Sequence, residues 1–161
     1  MSRADLTYVD GTILGALVSA GPDGNAVRHR YAHSADAWMS STIALVRCLQ
    51  VLEREPAIGS GPAADPIALL RLLSNGIVFR PIPLAALAQA APHRPLPQLS
   101  AVDRLELAAA RIWRCHWLLT NNANLRDAAQ AEGIHSFGIQ MPQQTPPQAM
   151  GDWRGRSPIP P

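Results

Sequence analysis

"LLTNNANLRDAA", residues 118–129, runs from an apolar stretch through a polar turn into a helical pattern. Strand, turn and helix in that order form the building unit of an α/β sheet protein. The turn also raises the functional question, because it carries Asn121 and Asn122 where that layout would suit a carboxylate.

Around this stretch the pattern repeats. "AVDRLELAAARIWRC" (101–115) predicts a strongly periodic helix with Ser100 as its N-cap, and "HWLLT" (116–120) is the strand that leads into the turn. "NLRDAAQAEG" (124–133) predicts a short helix closed by Gly133, followed by a final strand in "IHSFGI" (134–139). At the other end, "LTYV" (6–9) is a β-prone run, and "ILGALVSAG" (13–21) is helical up to the Gly21-Pro22 breaker. "NAVRHRYAHSADAW" (25–38) predicts a helix, and "SSTIALVRCLQVLERE" (40–55) a second one, capped by Ser40 or Ser41 and ended by Pro56. A surface loop over 56–66, a helix over 67–76, a strand in "IVFRPI" (77–82) and a proline-started helix over 83–91 complete the series, with "PHRPLPQLS" (92–100) as an interruption. Strand, helices, strand, helices, strand, helix, strand is the order of an α/β layered fold around a mostly parallel sheet.

A length of 161 residues suits one domain, here residues 1–139. Residues 140–161, "QMPQQTPPQAMGDWRGRSPIPP", form a Pro-rich tail expected to be extended or disordered, with Trp153 either an incidental residue or an anchor. Fourteen basic and twelve acidic side chains give a formal net charge of +2, so any RNA contact must be local. Cys48 and Cys115 lack metal-binding spacing and suit buried reduced thiols in a cytoplasmic protein. The apolar stretch near the N-terminus is broken by Asp10 and Gly11 and is too short for a bilayer, so neither export nor membrane insertion is expected.

In an open parallel sheet, ligands bind beyond the carboxyl ends of the strands. Asp10 directly follows the first strand, Asp103 opens the long helix, and the asparagine turn and the helix carrying Arg47 belong to the same neighbourhood. "RHRYAH" (28–33) offers Arg28, Arg30 and Tyr31 as RNA-binding candidates, although a solvated helix face is the simpler reading. His29 and His33 are four apart, a spacing that allows a shared metal but supplies only two ligands. His116 and His135 flank strands and read as packing or edge residues.

"YVDGTILGALV", "SSTIALVRCLQVL", "LSAVDRLELAAARI" and "WLLTNNANLRDAAQAEGI", with "ALLRLLSNGIVFRPIPLAALAQAA" between them, together resemble a PIN domain, particularly the VapC-type toxin ribonucleases, over roughly residues 6–139. The resemblance implies a three-layer PIN-like fold, a central parallel sheet flanked by helices. It also implies RNA cleavage with Mg²⁺ or Mn²⁺ held by about four acidic side chains, since such hard ions take carboxylate oxygens. Homodimers and inhibition by an antitoxin protein, often through an arginine placed in the acidic pocket, are implied as well. Asp10 matches the first acidic position, Asp103 the third, and Thr12 the supporting hydroxyl residue. The second acidic position falls on Arg47 and the fourth on Asn122.

Two aspartates and one arginine leave a single net negative charge where the family keeps a nominal four. A guanidinium repels a divalent cation, so poor Mg²⁺ binding is expected and the nuclease is read as weakened or inactive. Arg47 is expected to bridge Asp10 and Asp103 as an internal counter-ion, the alternative being a side chain that snorkels to solvent. Glu106 lies one helical turn beyond Asp103 and could supply a third carboxylate, but a solvated glutamate paired with a neighbouring arginine is the favoured reading. Two other functions stay open: an active Mg²⁺- or Mn²⁺-dependent endoribonuclease with fewer carboxylates, and an interaction module acting through the cleft or the tail.

Overall fold

A computed structural model describes residues 5–19, 22–54, 76–90 and 98–139. The expected loop over 56–66, nearly all of the helix over 67–76, most of the 92–100 interruption and the tail with Trp153 lie outside the described residues. The described elements are β1 (Leu6–Val9), α1 (Gly11–Val18), α2 (Pro22–His33), β2 (Ala37–Ser41), α3 (Thr42–Arg54), β3 (Ile77–Arg80), α4 (Leu84–Ala90), α5 (Ala101–Ile112), β4 (Trp117–Leu119), α6 (Ala123–Ala131) and β5 (His135–Phe137). The five strands form one sheet in the order β3-β2-β1-β4-β5, and every pairing is parallel.

Side chains alternate across the sheet with the two-residue strand period and feed two cores. Val9, Trp38 and Leu119 pack with Ile13, Leu14, Leu17 and Val27 of α1 and α2. Tyr8, Met39 and Leu118 point the other way, toward Leu107 and Ala110 of α5 and Leu125 and Ala129 of α6. This is the three-layer arrangement expected from the resemblance. Cys48 and Cys115 are buried free thiols, and burial pushes both up to about 12. Among the described residues no helix is long and apolar enough to cross a membrane.

β2 departs from the expected pattern, which ran a helix through Trp38. The helix ends at His33, and Ala37–Ser41 is a strand between β1 and β3, in register Leu6↔Ala37 and Trp38↔Ile77. Because β2 is buried on both faces, "AWMSS" shows no apolar–polar alternation. Its two serines are hidden by hydrogen bonding. Ser40 Oγ donates to Val9 O at 2.5 Å, while Ser41 Oγ accepts from Tyr8 Oη at 2.9 Å and, as the N-cap of α3, from Ala44 N at 3.2 Å.

The sheet order changes direction at β1, whose neighbours β2 and β4 are reached by opposite crossovers. The carboxyl ends of β1 and β4 meet there, with Asp10 N donating to Leu119 O at 3.2 Å. Gly11, the first residue of α1, lets α3 approach closely: a Cβ on it would lie 2.5 Å from Arg47 Cβ and 2.8 Å from Ala44 O. Neither neighbour is a flexible side-chain tip, so the helices would have to separate. Gly11→Ala is therefore expected to destabilise the fold by about 1–3 kcal/mol despite alanine's better helix propensity. Urea unfolding measures this, and an unchanged midpoint would contradict the packing.

Candidate functional site

Asp10 is fully buried at the end of β1 and caps α1. Its Oδ1 accepts from Thr12 N (3.0 Å), Thr12 Oγ1 (2.7 Å) and Ile13 N (3.0 Å). Its Oδ2 accepts from Thr120 Oγ1 at 2.5 Å. Both threonine hydroxyls in turn accept from the asparagine turn: Asn121 N donates to Thr12 Oγ1 at 3.2 Å, and Asn122 N to Thr120 Oγ1 at 3.0 Å. Burial raises the Asp10 pKa above its ordinary value, against the pull of these donors and of the Arg47 charge.

Both asparagine side chains have structural partners. Asn122 is the N-cap of α6, its Oδ1 accepting from Asn124 N at 3.1 Å and Leu125 N at 3.4 Å. Asn121 Oδ1 accepts from Ile139 N at 3.1 Å and ties the turn to the chain beyond β5. An asparagine caps a helix about as well as an aspartate, so the turn keeps its shape without a charge.

Asp103 opens α5 inside a capping box. Ser100 Oγ accepts from Asp103 N at 3.1 Å, and Asp103 Oδ2 accepts from Ser100 Oγ at 2.7 Å and Ser100 N at 3.2 Å. Its other oxygen receives Arg47 Nη1. Burial alone would raise the Asp103 pKa, but the bonds from Arg47 and Ser100 outweigh it and hold the carboxyl below its ordinary value.

Arg47 turns inward; its side chain is only 23% exposed, so the snorkelling alternative does not hold. It does not take the expected bridge between Asp10 and Asp103. The same Nη1 bonds Asp103 and, at 3.3 Å, Glu106 Oε2, and no hydrogen bond joins it to Asp10, which it reaches only through its charge. Burial works against the Arg47 cation, yet the three carboxylates leave its pKa raised.

Glu106 is the larger correction. It is fully buried rather than solvated, and its Oε1 accepts from Gly11 N at 3.3 Å. One turn from Asp103, it faces into the cleft because this side of α5 packs on the sheet. Burial, followed by the charge of Asp10, pushes its pKa from an ordinary 4.5 to about 8, against the pull of the Arg47 charge and the Gly11 N–H.

The cleft therefore gathers Asp10, Thr12, Arg47, Asp103 and Glu106, with Asn122 one bond removed behind Thr120. Thr120, Ser100 and Gly11 belong to it as well. Thr120 carried only a weak sequence signal, a hydroxyl at a strand end. Ser100 was readable as a cap but not as a ligand of the Asp103 carboxylate.

The "RHRYAH" candidates are engaged elsewhere. Arg28 donates to Leu17 O (2.8 Å), Ser19 O (2.7 Å) and Asn25 Oδ1 (2.6 Å), securing the C-terminal end of α1. Arg30 lies 3.8 Å over the Phe137 ring, and Tyr31 packs edge-on against Trp38 at 4.8 Å. The solvated-face reading holds for His29 and His33, which are exposed. His135 is exposed on the edge strand β5 beside Trp117, and His116 is exposed at the amino end of the interior strand β4, its Nδ1 lying 3.7 Å from Asp5 Oδ1.

A hydrated Mg²⁺ or Mn²⁺ needs carboxylate oxygens free to face it. Here Asp103 is held by Arg47 and Ser100, Glu106 by Arg47 and the Gly11 N–H, and the Asn122 oxygen caps a helix. Among the described residues no group of three or more His, Cys, Asp or Glu side chains could hold a metal ion. As arranged, the cleft does not fit such an ion.

No protein-family model matches the chain, and neither does any curated protein. Ten solved chains do match. One is Mycobacterium tuberculosis VapC20, a toxin that cleaves the sarcin–ricin loop, at a TM-score of 0.60 and 20% identity, covering 76% of this chain and 94% of that one. At that identity the likeness is one of fold, and it agrees with the PIN-like, VapC-like resemblance read in the sequence.

Glu106 generates a pH prediction. Its folded-state pKa lies above its ordinary value, so its burial costs progressively more stability as pH rises from 4.5 to about 8, and no more beyond. Glu106→Gln cannot ionise. Whatever its constant offset, the stability of parent minus variant is expected to fall across that window and flatten above it. Urea unfolding from pH 5 to 9 reads the slope, and a flat difference would refute the upward shift at this buried carboxyl.

Proposed function

We propose that this chain is a PIN-like domain related to the metal-dependent VapC-type endoribonuclease toxins, with its hydrolytic site silenced. The observation that carries this reading is the Arg47 guanidinium bonded to both Asp103 and Glu106. An ion entering the cleft must displace a cation that two carboxyl groups hold and that is only 23% exposed. The competing enzymatic reading keeps Asp10 and Asp103 as the ion's ligands, with Thr12, Glu106 and Asn122 in support. It requires Arg47 to leave.

A protein-binding role has its own support. Val46 and Leu49 on α3 and Leu84 and Leu87 on α4 are large apolar side chains left 46–82% exposed. Such surface suits a second copy of the chain or an antitoxin-like protein. Arg28, Arg30 and Tyr31 are not assigned to RNA in this reading, because each is already engaged within the domain.

The test uses a sarcin–ricin-loop RNA hairpin with Mn²⁺, the parent chain and an Asp10→Asn control. No cleavage above the control is expected, and cleavage by the parent that the control loses would overturn the silenced reading. Calorimetric Mn²⁺ titration of the parent and of the Arg47→Glu, Asn122→Asp double variant tests the charge argument. At least tenfold tighter binding is expected in the variant, with a Mn²⁺-dependent rise in Tm as a second readout. Equal affinity in the two proteins would refute Arg47 as the barrier.

A further inference from the structure

We draw no further inference here: the strongest candidate, the exposed apolar surface of α3, the edge strand β3 and α4 (Val46, Leu49, Val78, Leu84 and Leu87), carries nothing because nothing in the structure shows what covers it.

Discussion

Three carboxyl groups can be buried at the carboxyl end of this sheet only because a half-buried cation and a set of hydrogen-bond donors lie among them. An ionised carboxylate removed from water is expensive unless hydrogen bonds or opposite charge replace the lost hydration. Each acid here meets the requirement differently. Asp10 gathers two threonine hydroxyls and two backbone N–H groups, Asp103 takes Arg47 and the Ser100 cap, and Glu106 takes Arg47 and the Gly11 N–H while burial raises its pKa. The contact between α1 and α3 at Gly11 brings the base of the Arg47 side chain against the start of α1.

The likeness to VapC20 concerns the path of the backbone. Function depends on the groups placed along that path, and here they differ from what the resemblance implies. A turn that would carry a carboxylate carries an amide that caps a helix, and a position for an acid carries a base. The layout needs no charge at either position: Asn122 starts α6 as a cap, and Arg47 lies against Gly11 through Cβ and Cγ.

Most of the architecture was legible in the sequence because the helices are amphipathic and bounded by strong caps. Ser100 before α5, Ser41 before α3 and Gly133 after α6 act where their chemistry predicts. β2 was not legible, since a strand covered on both faces and ending in two serines has no periodic signature. At the cleft, the residue types at Asp10, Arg47, Asp103 and Asn122 could be read from the chain, but their partners could not. Glu106 has the spacing of a surface ion pair and differs from one only in which side of α5 meets the sheet, a property of the assembled layers.

Asp10 and Asp103 each hold a helix start, one as the N-cap of α1 and the other inside the capping box of α5. Foldability alone would therefore favour both aspartates, whatever the chain does chemically. Counting surviving acids is consequently a poor guide to competence in chains of this shape. The positions that discriminate are those, like Arg47 and Asn122, where the scaffold tolerates either sign or none.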